Sequence, residues 1–164
     1  MTELAALVEA LAGRLIARGE RIACAESCTG GLIAKLCTDL AGSSAWFERG
    51  LVTYSNDAKH DLLGVPRELF RSDGAVSEAC VRAMASGLMQ RCPADWTLAV
   101  TGIAGPGGGS PGRPVGTVWM AWMRRGHAEQ AHREIFPGDR EAVRAQTAAA
   151  ALAGLIDRLQ DDPP

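Results

Sequence analysis

Three short stretches bring together residue types that do chemistry. The first is AESCTGG, residues 25–31, where Glu26, Ser27, Cys28 and Thr29 stand ahead of two glycines. A serine hydroxyl can attack a carbonyl carbon if a neighbouring base takes its proton. Gly30 and Gly31 let backbone approach a ligand, and a helix starting here offers free N–H groups to a phosphate or a developing oxyanion. Taken alone, the stretch reads slightly more readily as an N-cap, with Ser27 or Thr29 satisfying the first turn.

The second stretch is TYSNDAKHD, 53–61, with Tyr54 the only tyrosine of the chain and Lys59 five residues on. A lysine in an alanine- and leucine-rich setting can lose its charge through burial and become a base. On a solvated face it is an ordinary surface residue. Asn56 starts the helix that carries it. The third stretch is TGIAGPGGG, 101–109, in which Thr101 and Gly102 lead into a loop holding Gly105 and Gly107. So many glycines are costly in entropy, and such loops often come close to ligands. No G-K-[ST] follows, so this is not a nucleoside-triphosphate loop. A formal G-x-G-x-x-G at Gly107, Gly109 and Gly112 is spurious, because no helix opens after it. In GDREAVRAQT, 138–147, Arg140 and Arg144 lie one helical turn apart and can serve a phosphate or an exposed ion-paired face.

A serine needs a base. The histidines are 60, 127 and 132. His60 beside Asp61 leaves a Ser-His-Asp arrangement open, but lysine is the better available base. Cys28 is the competing nucleophile. It is expected to turn into or behind the helix if Ser27 faces the crevice at the strand end. The other cysteines, 24, 37, 80 and 92, read as small buried hydrophobes. Their spacing offers no zinc site, and an odd total argues against a disulfide framework. No metal and no cofactor are expected.

These residues need a scaffold. Residues 3–18 repeat apolar positions at helical spacing, and Gly19 can stop that helix. RIACAES reads as a buried strand, and 29–42 as a helix. WFERGLVTYS reads as a strand, and NDAKHDLLGV as a short helix capped by Ser55 or Asn56. Residues 66–75 are expected to be irregular between Pro66 and Gly74. SEACVRAMASGLMQRC is an amphipathic helix capped near Ser77, and DWTLAVTGIA a strand. VGTVWMAWMRR and AEQAHREIF form a hairpin turning at Gly126–His127, and 138–160 a closing helix. Strands alternating with helices, then a hairpin, predict a three-layer α/β/α sandwich with a mixed, mostly parallel sheet. No repeat or linker divides the 164 residues, so residues 1–164 are expected to form one domain.

Composition agrees. Hydrophobic residues make up 47% of the chain, which excludes disorder, and the net charge of -2 comes without a basic run. A nucleic-acid footprint is therefore not expected. With no long apolar stretch and no leader pattern, no membrane contact is expected and the expected location is cytoplasmic.

AESCTGG, YSNDAK, GAVSE, TGIAGPGGG and PVGTV follow one another in this order and with these separations. In this the chain resembles the CinA C-terminal domain family, from about residue 4 to 160. Its active members are nicotinamide-nucleotide amidohydrolases, and the absence of a preceding molybdopterin-binding-like domain resembles the stand-alone form. The resemblance implies deamidation of nicotinamide mononucleotide to nicotinate mononucleotide and ammonia, in the recycling of NAD. It implies a metal-free mechanism with Ser27 as nucleophile, Lys59 as base and Tyr54 orienting or tuning the lysine. It implies a pocket for the nucleotide from Glu26, Thr29, Gly30, Gly31, Asn56, Thr101, Gly102, Gly105 and Gly107, with Arg140 on the phosphate. Glu26 would raise the pKa of Lys59 if close to it, so it is expected to bind backbone, threonine or ribose groups. The resemblance also implies a homo-oligomer, a dimer or larger, with the Trp119/Trp122 strand a candidate interface. The alternative is an inactive nucleotide-binding or regulatory module of the same fold.

Overall fold

The computed structural model describes residues 2–164. Helix α1 (Glu3–Arg18) starts at Thr2, whose hydroxyl accepts from the Ala5 N–H at 3.1 Å, and ends at Gly19 with φ 66°. Strand β1 (Ile22–Glu26), helix α2 (Leu32–Asp39), strand β2 (Phe47–Val52), and helices α3 (Asn56–Leu63), α4 (Arg67–Ser72) and α5 (Glu78–Met89) follow. Strand β3 (Trp96–Gly102), the hairpin β4 (Thr117–Arg124) and β5 (Gln130–Ile135), and helix α6 (Arg140–Asp161) complete the chain.

The five strands lie in the order β2-β1-β3-β4-β5. β1 runs parallel to β2 and β3, and β4 antiparallel to β3 and β5, so β4 alone runs against the others. β1 is buried on both faces, as a central parallel strand must be. Ile22 and Cys24 join Leu98, Val100, Met120 and Trp122 beneath α1, α2 and α6. Ala23, Ala25, Ala99 and Ala121 face α5. These small side chains let α5 lie close to the sheet. Two leucines of α1, Leu11 and Leu15, are fully buried, each contributing about 1.5–3 kcal/mol. Between α3 and α5 the fit is tighter still: a Cβ on Gly87 would stand 1.9 Å from the Leu63 carbonyl oxygen.

The layered fold and mixed sheet are as the sequence predicts. Two boundaries differ. The helix expected from residue 29 starts at Leu32, because Gly30 (φ 59°) and Gly31 (φ 103°) hold a left-handed turn that cannot be helical. Residues 66–75 are not irregular throughout, since α4 forms at Arg67–Ser72. Pro66 stands just ahead of its first turn, where proline is tolerated, and Leu69 and Phe70 anchor it against α5. Among the described residues no helix is long and apolar enough to cross a membrane.

Candidate active site

The chain leaves β1 to reach β2 on one side and later returns to β3 on the other. The carboxyl ends of β1 and β3 thus form a topological switch point, where open α/β sheets collect ligands. The Ser27 N–H donates to the Val100 carbonyl at 3.1 Å, carrying the pairing one residue past Glu26. The chain then turns sharply, with the Gly30 N–H on the Ser27 carbonyl at 3.1 Å.

Glu26 decides what that turn does. Its side chain is buried and, besides a weak hydrogen bond from the Cys24 thiol at 3.8 Å, accepts three stronger ones. They come from the Thr29 hydroxyl (2.6 Å), the Ile33 N–H (2.8 Å) and the Ala34 N–H (3.0 Å). It therefore caps α2 from below, and neither Ser27 nor Thr29 serves as N-cap. The expectation that Glu26 binds backbone and threonine groups holds, but Glu26 does not reach the cavity. Thr29, Gly30 and Gly31 also lie outside the cavity lining and build the turn instead. With the Ile33 and Ala34 amides taken, the start of α2 offers no free anion site. In the turn, the N–H groups of Cys28 and Thr29 make no hydrogen bond to a backbone carbonyl.

Ser27 is freed for another partner. Lys59, on the second turn of α3, is only 1% exposed. Its Nζ donates to Ser27 Oγ at 2.9 Å and to the Tyr54 carbonyl at 2.9 Å. The Ser27 hydroxyl also lies 3.3 Å from that carbonyl. Ser55 sets the helix that aims the lysine, accepting from the Ala58 N–H at 3.0 Å. Burial lowers the Lys59 pKa, with the Cys80 and Cys28 thiols opposing weakly. Among the described residues no carboxylate pairs with its amine. His60 turns Nδ1 to the Val65 carbonyl at 3.0 Å and takes no part, so no Ser-His-Asp arrangement forms.

Tyr54 contributes through its backbone rather than its ring. The phenol is 57% exposed, and its oxygen accepts from Arg140 Nη2 at 3.0 Å. Arg140 also donates from Nη1 to the Gly105 carbonyl at 2.8 Å, tying the strand end to the glycine loop. Arg144 does not join it. Its Nη2 donates to the Thr29 carbonyl at 3.0 Å and clamps the turn.

Together these elements enclose a cavity of about 280 Å³. Of the residues singled out in the sequence, Ser27, Tyr54, Asn56, Lys59, Thr101, Gly102, Gly105, Gly107 and Arg140 line it. Thr101 is fixed by its hydroxyl on the Ala75 carbonyl at 2.9 Å. A Cβ on Gly102 would stand 2.7 Å from Val118 and 3.2 Å from Cys28 Sγ, so only glycine fits. Sequence reasoning missed Ala75 and Val76, although GAVSE marks their position, and Ile103, Ala104 and Gly108. Cys28 is a correction. It does not turn away but lines the same cavity, because it sits in the turn rather than in the alternating pleat. Burial pushes its thiol up to about 11, which makes it a poor nucleophile near neutrality.

Lys59 and Arg140 are the only charged side chains of the lining, so the cavity suits an anionic ligand. Among the described residues no three histidine, cysteine, aspartate or glutamate side chains converge to hold a metal. The fold and the site define a class: a three-layer α/β/α protein with a serine–lysine pair at the switch point of its sheet. Within it, the sequence profile of the CinA C-terminal domain matches residues 4–159, and the chain belongs to that family. It is 51% identical over 154 residues to the Escherichia coli protein named nicotinamide-nucleotide amidohydrolase PncC, covering 94% of this chain and 93% of that one. It is 48% identical over 159 residues to a CinA-like protein of Akkermansia muciniphila, covering 97% of this chain but only 38% of that longer one. The crystal structure of the competence damage-inducible protein A of Klebsiella pneumoniae superposes with a TM-score of 0.94. That protein is 43% identical, and the match covers 98% of this chain and 99% of that one.

Proposed function

We propose that the protein hydrolyses the carboxamide of nicotinamide mononucleotide to nicotinate mononucleotide and ammonia, within pyridine nucleotide recycling. The observation that carries this reading is the Ser27–Lys59 contact of 2.9 Å inside a cavity whose one permanently charged side chain is Arg140. The name of the Escherichia coli relative and the length of its match support the same substrate.

Neutral Lys59 takes the Ser27 proton as Oγ bonds to the carboxamide carbon. The carbonyl oxygen gains the negative charge, which the backbone N–H of Cys28, beside Ser27 in the cavity lining, stabilises; such a donor is worth about 3–4 kcal/mol in the transition state. The Lys59 ammonium returns the proton to the nitrogen, the C–N bond breaks and ammonia leaves. Water then attacks the ester, Lys59 accepts its proton, and Ser27 is regenerated with the acid product. The Tyr54 carbonyl holds Lys59 on Ser27 throughout, and Arg140 takes the phosphate.

Incubation of the purified protein with nicotinamide mononucleotide tests this. Equal amounts of ammonia and nicotinate mononucleotide are expected. Saturable binding without ammonia would instead mark a nucleotide-binding module.

A further inference from the structure

A second cavity, of about 530 Å³, adjoins the first across Val76. It opens between the start of α5, the tip of the glycine loop and the β4–β5 hairpin. Trp119 and Arg133 are direct cross-strand partners and both line it. Trp119 is the only tryptophan outside the buried set, since Trp46, Trp96 and Trp122 are each 3% exposed or less. Arg113 enters from the loop, braced by its donation to the Asp73 carbonyl.

The charges here are unusual for an acidic protein. Glu78, the one carboxylate of the lining, is engaged by Arg82 at 2.8 Å. Among the described residues neither Arg113 nor Arg133 has a carboxylate partner, and Arg133 makes no side-chain hydrogen bond. The cavity therefore combines a half-buried indole with two guanidinium groups that no carboxylate neutralises. An indole takes an aromatic ring by stacking, and a pair of guanidinium groups takes a phosphate. Neither Arg113 nor Arg133 lines the cavity that holds Ser27.

We propose that this cavity is a second nucleotide site, which binds a nucleoside phosphate with its base on Trp119 and its phosphate between Arg113 and Arg133. The same loop walls both cavities, with Gly105 and Gly107 on one side and Ser110 and Arg113 on the other. A ligand held by Arg113 thus also holds the loop that borders Ser27.

Adenosine diphosphate is a suitable probe, because it has no carboxamide for Ser27 to attack. It should quench the tryptophan fluorescence saturably, and Trp119→Phe should abolish the quench. Calorimetry should show binding weakened about tenfold in Arg133→Ala and unchanged in Ser27→Ala and Arg140→Ala. Adenosine and inorganic phosphate should each bind at least about tenfold more weakly than the diphosphate. The proposal is overturned by the absence of saturable binding, by a quench that survives Trp119→Phe, or by binding lost with Arg140→Ala. Sedimentation of Arg133→Ala completes the test: an unchanged assembly state supports a ligand site, and a dissociated one marks the cavity as a contact between subunits.

Discussion

Replacing Lys59 by methionine should stabilise the protein while removing its activity. The side chain is buried with two neutral oxygen partners and no carboxylate. Holding an ammonium there costs desolvation, and holding a neutral amine costs release of the proton. Methionine fills a similar volume without either cost. The Tyr54 carbonyl keeps the Ser27 hydroxyl at 3.3 Å, so no buried acceptor is orphaned. Exchanging a buried ionic group for an apolar one of similar size often stabilises by about 1–4 kcal/mol, and two lost hydrogen bonds offset part of this. A net gain of about 1–2 kcal/mol is expected, or about 2–4 °C in Tm per kcal/mol for a chain of this size.

The pH dependence follows from linkage. The folded pKa of Lys59 lies below its ordinary 10.5, so between the two values the unfolded chain binds more protons and wild-type stability rises with pH. The methionine variant lacks this slope. Its advantage should be greatest below the folded pKa of Lys59 and shrink as pH approaches 10.5. Urea melts of both proteins across this range measure it, and ammonia release should fall by at least about 10²-fold. A variant that is less stable than wild type, or whose advantage does not change with pH, would refute the reasoning.

Four further outcomes are expected. Glu26→Gln should lose about 2–4 kcal/mol in urea melts, because an amide cannot accept all three hydrogen bonds, while the KM for nucleotide stays unchanged. Gly87→Ala should destabilise by about 3 kcal/mol or more, since its Cβ meets the Leu63 carbonyl, and thermal melts would show this. Wild-type kcat/KM should rise with pH and level off below 10.5, as Lys59 loses its proton. Iodoacetamide at neutral pH should leave activity intact, because burial pushes the Cys28 thiol up to about 11; rapid inactivation protected by substrate would point to Cys28.

Much of the site is legible in the sequence because it is built from strand ends. AESCTGG, TYSNDAK and TGIAGPGGG each close a strand or open a helix, and a parallel sheet gathers such junctions at one edge. Side-chain identity alone hides the rest. An acid at the end of β1 can face a ligand or the N–H groups of α2, and only the path of that helix directs Glu26 to the latter. Arg140 and Arg144 share a helical spacing, yet one reaches the glycine loop and the other the Thr29 carbonyl. Tyr54 acts on Lys59 through a carbonyl, which every residue carries and no motif marks. Helix α4 is obscured because proline and glycine bracket it, although six residues suffice for a turn anchored by Leu69 and Phe70.

The central claim is that Ser27, held by Lys59, attacks the carboxamide. Ammonia release from nicotinamide mononucleotide by wild type, Ser27→Ala and Cys28→Ala, with each fold checked by circular dichroism, tests it most directly. Wild type and Cys28→Ala should release ammonia at comparable rates, and Ser27→Ala should release none above the uncatalysed background. Release by Ser27→Ala at the wild-type rate, with loss in Cys28→Ala, would contradict the account.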